Sequence, residues 1–211
     1  MSDGVKNSLF TVLTPKTQYL KIMEIFLIRH TSVNVPKGIC YGKSDVGLNH
    51  TAEEEITTTI ARLSAHCDIE KAVIWSSPAN RCVTLAKSIR ADFQLEERLW
   101  EMNFGDWEMQ FWNDIKREHS DPWMADFVNI NTPNGESFKE LSARANEFLD
   151  EIISQNHEQI ILVNHSAVIR SIICRALDLD LKNAFRMEID YGSISKITYK
   201  NGFWSVKFVN G

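Results

Sequence analysis

The sequence predicts a three-layer α/β fold, in which a doubly wound, mostly parallel β-sheet is covered by helices on both faces. The first observation is that short apolar runs, such as residues 24–28 and 159–163, alternate with amphipathic stretches of helical length. The second is that these runs are apolar throughout, which is typical of strands buried on both faces. The third is the Asn201-Gly202 pair between two β-like runs, which favours a C-terminal β-hairpin.

Each predicted element rests on hydrophobic periodicity and on local start signals. Thr51 and Glu54 have the spacing of a capping box ahead of a helix. Ser77 and Pro78 suit the cap and the first position of another helix. In chain order, the predicted elements are a strand at 24–28, a helix at 51–65, a strand at 71–75, helices at 77–91, 106–119 and 136–155, a strand at 159–163, a helix at 166–177, and hairpin strands at 193–199 and 203–209.

Length and composition indicate one globular domain. The chain has 211 residues, of which 44% are hydrophobic and 24% charged, enough for a full core. We expect that domain to span residues 23–211. Residues 1–22 are predicted to be a tail ahead of it, either disordered or an upstream start, and the sequence leaves both open. No apolar stretch reaches the roughly 18 residues that a membrane helix needs, so no membrane partner is predicted.

Charge and cysteine content narrow the classes of function. The formal net charge is −5, which argues against a general nucleic-acid binder. An anionic ligand would therefore have to meet a local cationic pocket. The four cysteines are scattered, without a Cys-x-x-Cys pair, and indicate reduced thiols in a cytoplasmic protein rather than a zinc site. The sequence is compatible with a monomer or a homodimer.

Polar side chains follow three of the predicted strands or begin the helices after them. Arg29 and His30 end the first strand, Arg81 lies one turn into the helix after the second, and His165 follows the third. Because the carboxyl ends of parallel strands meet at one edge, these side chains should converge. Guanidinium groups and helix N-termini match phosphate oxygens, so the edge is predicted to bind a doubly charged oxyanion.

A histidine at this edge could do more than bind. Neutral imidazole is a nucleophile, and phosphoryl transfer to it divides one hard displacement into two easier ones. Such a mechanism also needs an acid for the leaving oxygen. Glu101, between apolar neighbours, is the candidate, since a carboxyl sheltered from water can hold its proton. Glu97, Asp106 and Glu108 lie close by in the sequence and remain alternatives.

Four ordered motifs resemble the histidine phosphatase superfamily, the phosphoglycerate-mutase-like group. The resemblance implies that His30 is the phosphohistidine nucleophile and that Glu101 is the proton donor, later the base for water. It implies a phosphate pocket of Arg29, Arg81 and His165, with no metal and no cofactor. The motifs are LIRH at 27–30, SSPANR at 76–81, Glu101 with FGDWE at 104–108, and VNH at 163–165.

Within that superfamily, RHTSV at 29–33 and PKGICYG at 36–42 resemble α-ribazole phosphatase-like members. The resemblance implies a metal-independent phosphomonoesterase acting on a small phosphorylated metabolite, with α-ribazole 5′-phosphate of cobalamin synthesis as the named candidate. Thr31, Ser166 and Met109 stand where the family usually has glycine, so these departures bear on substrate fit rather than on chemistry. The residues expected to bind substrate are Arg29, Thr31, Ser32, Tyr41, Gly42, Arg81, His165 and Ser166.

Three other functions remain open at this point. A phosphoglycerate-type mutase would return the phosphoryl group to the substrate, but the compact spacing between the motifs favours a hydrolase. A non-catalytic phosphate-binding module would be expected to lack His30 or Glu101, and both are present. A metal hydrolase built on His30 and His165 would need a supporting carboxylate cluster at ligand spacing, which the sequence does not show.

Overall fold

A computed structural model describes residues 22–211, so the predicted tail lies outside the described residues except for Ile22. Six strands form one sheet in the order β3-β2-β4-β1-β5-β6. The pairs of β1, β2, β3 and β4 are parallel, and β5 and β6 pair antiparallel at one side, which confirms the predicted fold class and hairpin. The strands are β1 (Met23–Arg29), β2 (Val73–Ser76), β3 (Gln94–Leu95), β4 (Gln159–Asn164), β5 (Ile194–Lys200) and β6 (Phe203–Phe208).

Helices cover both faces of the sheet because β1 sends alternate side chains to opposite sides. Ile25 and Leu27 belong to a buried cluster shared with the helices at 138–154 and 166–176, whereas Phe26 and Ile28 belong to a cluster shared with the helices at 52–64 and 80–89. The helices are α1 (Ala52–Ser64), α2 (Asn80–Ile89), α3 (Arg117–Ala125), α4 (Phe138–Ser154) and α5 (Ser166–Ala176), with 3₁₀ turns at Glu97–Leu99, Gly105–Trp107 and Leu181–Arg186.

One predicted capping box and one predicted helix start are wrong, because the side chains involved have other partners. Thr51 does not form a capping box with Glu54; its hydroxyl donates to Glu55 instead, at 2.7 Å. The helix predicted from Ser77 begins at Asn80. The Ser77 hydroxyl is hydrogen-bonded to Nε2 of His165 at 2.8 Å. Glu55 lies in the first turn of α1, so Thr51 stays bonded within its own helix, whereas Ser77 is bonded to a residue at the start of α5.

The helix predicted at 106–119 is also wrong. A 3₁₀ turn ends at Trp107, and Met109 has a φ of +64°, which interrupts a right-handed helix. The backbone then bonds to a distant segment: the Met109 amide donates to the Cys40 carbonyl, and the Trp112 amide donates to the Gly38 carbonyl. The tryptophans of this stretch pack against one another and against Trp123 of α3. Tertiary contacts therefore override the local helical pattern.

Candidate active site

The candidate site lies where β1, β2 and β4 end. In the parallel register Arg29 is opposite Asn164, and Ser76 is opposite Val163, so the residues that follow these strands reach one edge of the sheet. α5 starts directly after β4, with His165 at its cap position. The free N–H groups of that helix thus face the same edge.

His30 is a buried histidine whose tautomer is fixed by the backbone. Its Nδ1 lies 2.7 Å from the Thr31 carbonyl oxygen, which can only accept, so Nδ1 carries the hydrogen. Nε2 then keeps its lone pair. Burial, and next the charges of Arg81 and Arg29, hold the pKa of His30 well below its usual value of 6.5. The ring is therefore a neutral imidazole near pH 7, the form that can attack phosphorus.

His165 is fully buried beside the first histidine. The two rings lie 5.1 Å apart in an edge-on arrangement, and the Trp100 ring is nearly parallel to His165 at 6.5 Å. A hydrogen bond of 2.8 Å joins its Nε2 to the Ser77 hydroxyl. Burial, followed by the neighbouring His30 and Arg81, lowers the pKa of His165 well below 6.5. Both rings are thus held uncharged next to the guanidinium groups.

Stability should fall in mild acid because of these two histidines. Their folded-state pKa values are lowered, so below pH 6.5 the unfolded chain takes up protons that the folded chain does not. We expect the free energy of unfolding to drop by up to about 1.4 kcal/mol per pH unit for each histidine. Urea unfolding at pH 7.0 and 5.5 measures this, and His165→Asn should flatten the dependence. A wild-type stability that is the same at both values would contradict it.

Arg81 is a fully buried cation whose closest polar contacts are backbone carbonyls rather than carboxylates. Its Nη1 donates to the Ser44 carbonyl at 2.7 Å, and its Nη2 donates to the Gly42 carbonyl at 2.6 Å. The Asp45 carboxylate oxygen is 3.9 Å from Nη1. Nε of Arg81 has no hydrogen-bond partner among the described residues. The guanidinium is thus oriented by neutral carbonyls, so much of its charge remains available to an anion.

Arg29 contributes a second cation at the cavity wall. Its Nη1 donates to the Ile189 carbonyl at 2.5 Å, and the guanidinium lies 3.7 Å from the centre of the Tyr191 ring. Stacking on the aromatic face leaves the edge of the guanidinium free to donate. The charges of Arg81 and Arg29 both lower the pKa of His30.

Glu101 is a buried carboxyl on the cavity wall, 9% exposed. Its Oε1 accepts from the Met102 amide at 2.9 Å, and its Oε2 accepts from the Ala167 amide at 3.2 Å. The Ser166 hydroxyl also donates to Oε2, at 3.4 Å. Arg144 on α4 fixes the segment by donating to the backbone carbonyl of Glu101 at 3.2 Å. The carboxyl is therefore held between the segment that follows the 3₁₀ turn at Glu97–Leu99 and the start of α5.

A cavity of about 260 Å³ connects these groups. Five residues predicted for the site line it: Arg29, His30, Tyr41, Glu101 and Ser166. Arg81 and His165 lie behind this wall, fully buried. The other lining residues are Ile39, Met102, Phe104, Trp112, Ala167, Phe185 and Tyr191.

Besides Arg81 and His165, three further residues predicted to bind substrate do not line this cavity. Thr31 is buried, and its hydroxyl has no partner among residues 22–211. Ser32 donates to Glu55 through its amide at 2.7 Å and through its hydroxyl at 2.5 Å. A Cβ on Gly42 would come within 1.8 Å of the Met102 carbonyl oxygen. In this geometry these residues shape the surrounding loops rather than face the cavity.

Sequence reasoning missed Tyr191 and most of the apolar wall. The Tyr191 hydroxyl lies 2.5 Å from that of Tyr41, and burial raises the pKa of Tyr41. Tyr191 follows no motif, so no local signal marked it. Trp112 belongs to a stretch that is rich in tryptophan. Because that stretch was wrongly predicted to be a helix, the sequence did not show that the Trp112 side chain lines the cavity. Phe185 comes from the turn after α5, whose docking depends on the complete fold.

The described residues were expected to hold neither a metal ion nor a membrane span. Within residues 22–211, no group of three or more His, Cys, Asp or Glu side chains is arranged to hold a metal ion. In the same part of the chain, none of the helices combines the length and apolar character needed to cross a bilayer.

Comparison with known proteins agrees with this geometry. A family model described as histidine phosphatase superfamily (branch 1) matches residues 25–211. A protein of Hydrogenobacter thermophilus provisionally named phosphoserine phosphatase 2 is 28% identical over 184 residues, 82% of this chain and 88% of its own. The adenosylcobalamin/alpha-ribazole phosphatase of Escherichia coli K12 is 26% identical over 198 residues, 89% and 96% of the two chains.

A solved structure shows the same fold. The alpha-ribazole phosphatase of Shigella flexneri superimposes with a TM-score of 0.81 at 24% identity, covering 90% of this chain and 96% of that one. At 24% identity, this structural similarity is evidence for the fold alone. The family model matches nearly all of the described residues and is evidence for the family. The chain belongs to the histidine phosphatase superfamily (branch 1), and its predicted class, a histidine phosphatase that hydrolyses phosphoric monoesters, is confirmed at the level of that family.

Proposed function

We propose that the protein is a metal-independent phosphomonoesterase that works through a phosphohistidine at His30. The observation that carries the proposal is the state of this ring. Its Nδ1 hydrogen is held by the Thr31 carbonyl, so Nε2 carries the lone pair; burial and the charges of Arg81 and Arg29 keep its pKa low; and the ring lies on the cavity wall with Arg29. Arg29 and Arg81 supply the positive charge that a metal ion supplies in other phosphatases.

In the first half-reaction, the phosphoryl group of the ester is bound by Arg29 and Arg81. Nε2 of His30 attacks phosphorus, and the P–N bond forms as the bond from phosphorus to the ester oxygen breaks. Glu101 gives its proton to that leaving oxygen, so the alcohol departs neutral. The proposal rests here on the position of Glu101 on the same cavity wall as His30.

In the second half-reaction, the Glu101 carboxylate takes a proton from water. The water oxygen attacks phosphorus, the P–N bond breaks, and its electron pair returns to Nε2 of His30. Inorganic phosphate leaves, and both residues regain their starting states. The neutral His165 beside His30 leaves the positive charge of the pocket to the two arginines, and its ring packs against that of His30.

The three alternative acids are less suited to this role. Glu97 accepts from the indole N–H of Trp100 at 2.9 Å, and Asp106 accepts from the Asn134 side chain at 2.9 Å. Glu108 accepts from backbone amides of the loop after Tyr41. Among the described residues, these three carboxylates are not part of the cavity wall. This supports Glu101 as the proton donor.

As substrate, we propose a small phosphate ester with a ring-bearing alcohol, of which α-ribazole 5′-phosphate in cobalamin synthesis is the candidate. The cavity wall is largely apolar or aromatic, and within residues 22–211 Arg29 is its one cation. Once Arg29 holds the phosphoryl group, a substrate with a further carboxylate finds no second cation there. The name of the Escherichia coli relative points in the same direction.

Four free cysteines support a cytoplasmic location.

Turnover of a substrate panel in excess chelator tests this function. We expect release of inorganic phosphate that is unaffected by EDTA, with a higher kcat/KM for α-ribazole 5′-phosphate than for O-phosphoserine, 3-phosphoglycerate or a sugar phosphate. Loss of turnover in chelator would refute the metal-free mechanism. A higher kcat/KM for O-phosphoserine would refute the substrate, and phosphoryl migration on 3-phosphoglycerate without free phosphate would identify a mutase.

A further inference from the structure

The Glu108 carboxylate accepts hydrogen bonds from four backbone amides. Oε2 accepts from Gly42 at 3.0 Å and from Ser44 at 3.1 Å. Oε1 accepts from Lys43 at 3.0 Å and from Phe104 at 2.9 Å. Three of these donors are consecutive residues of one loop, so a single carboxylate fixes the direction of that loop's peptide groups.

The same loop orients the buried cation of the site. The carbonyls of Gly42 and Ser44 accept from Nη2 and Nη1 of Arg81, at 2.6 and 2.7 Å. Loop 42–44 therefore lies between Glu108 and Arg81. Its amides donate to the Glu108 carboxylate, and its carbonyls accept from the Arg81 guanidinium. Glu108 can thus fix Arg81 without neutralising it, because no bond joins their charged groups directly.

Glu108 also ties this loop to the segment of the proton donor. Its fourth bond is to the Phe104 amide, three residues after Glu101. The two segments are in close contact, since a Cβ on Gly42 would come within 1.8 Å of the Met102 carbonyl oxygen and 2.8 Å of the Phe104 ring. A shift of loop 42–44 would therefore disturb the cation and the cavity wall together.

We propose that Glu108 is a positioning residue for phosphate binding, which acts through loop 42–44 on the guanidinium of Arg81. It does not touch the substrate. The proposal deepens the proposed function, because it concerns the phosphate pocket of the same site. It predicts that loss of the carboxylate weakens phosphate binding only while Arg81 is present.

Titration calorimetry with inorganic phosphate tests this without any turnover. In Glu108→Gln an NH₂ group replaces one oxygen and meets amide donors, so two of the four bonds are lost. We expect phosphate affinity to fall about tenfold, the effect of losing a charge-assisted hydrogen bond. Glu118→Gln is the matched control, because Glu118 is an exposed carboxylate on α3 that pairs with Lys116 at 3.7 Å. It should bind phosphate like the wild type.

A double-mutant cycle separates positioning from a general structural effect. In an Arg81→Lys background, where the forked guanidinium is absent, Glu108→Gln should change phosphate affinity by less than about twofold. An equal loss in both backgrounds would overturn the proposal, as would wild-type phosphate binding by Glu108→Gln or no phosphate binding by the wild type. If the wild type binds phosphate but hydrolyses no ester, the proposed function fails and the role of Glu108 is still measured.

Glu108→Asp is a second variant that keeps the proposal testable if Glu108→Gln does not fold. It keeps an acceptor-only head group on a shorter side chain, so it should fold and bind phosphate with an affinity between those of the wild type and Glu108→Gln. Circular dichroism establishes that each variant is folded before titration. If neither variant folds, the carboxylate serves the fold rather than the phosphate pocket, and the proposal is wrong.

Discussion

Replacing His30 with alanine is expected to lower kcat/KM for a phosphomonoester by at least about 10⁴-fold. Of the two neutral histidine rings, His30 lines the cavity, whereas His165 is fully buried and hydrogen-bonded to Ser77, so no second nucleophile replaces His30. Steady-state phosphate release from a p-nitrophenyl or alkyl phosphate measures the loss. Because the leaving group departs only after the P–N bond begins to form, even an activated ester should not rescue the variant.

The matched control is His119→Ala. This histidine is exposed on α3, 3.5 Å from Glu118 and away from the cavity, so its loss should leave kcat/KM within about twofold. Inorganic phosphate should still bind to His30→Ala, since both arginines remain. Turnover of His30→Ala within about tenfold of the wild type would mean that water attacks the ester directly and that His30 is not the nucleophile.

Glu101→Gln is expected to have an effect that depends on the leaving group. An alkyl phosphate needs a proton on its leaving oxygen, so its phosphoryl transfer to His30 should slow by about 10²- to 10⁴-fold. p-Nitrophenolate leaves without a proton, so the same step should be little changed for p-nitrophenyl phosphate. Glutamine cannot act as the base for water, so the phosphohistidine should then accumulate. Pre-steady-state kinetics would show a burst of p-nitrophenol followed by slow turnover.

The control for this change is Glu97→Gln, at the nearest of the alternative acids. The glutamine oxygen can still accept from Trp100, so little change is expected for either ester. A loss in Glu101→Gln that is equal for alkyl and p-nitrophenyl phosphates, without a burst, would contradict the assignment. Glu101 would then support the structure of the cavity wall through its bonds to α5 rather than transfer protons.

Five of the six strands could be predicted from sequence because their determinants are local, whereas β3, which is two residues long, was not predicted. β1 alternates its side chains between two buried clusters, and the Asn201-Gly202 pair joins β5 to β6. The errors occurred where a distant partner competes with the local signal. The 106–119 stretch has a helical pattern, but its backbone bonds to residues 38–40.

The candidate site was predictable where a residue follows a strand directly. Arg29, His30 and His165 reach the sheet edge by chain connectivity alone, given parallel strands. Tyr191 and the role of Glu108 were not predictable, because they depend on loops that meet only in the folded molecule. In the sequence, Glu108 stood only as the last residue of the FGDWE motif and as an alternative acid. Its four amide partners, three of them more than 60 residues away along the chain, reveal its position in the site.

Trapping the covalent intermediate would show whether His30 carries the phosphoryl group during turnover. The wild-type enzyme is mixed with a ³²P-labelled phosphomonoester in excess EDTA, quenched in alkali during turnover and digested. Phosphohistidine survives alkali and is lost in acid, so the account predicts alkali-stable, acid-labile label on the peptide that contains His30, and none in His30→Ala. Turnover of the ester without label on that peptide, or with label on another residue, would contradict it.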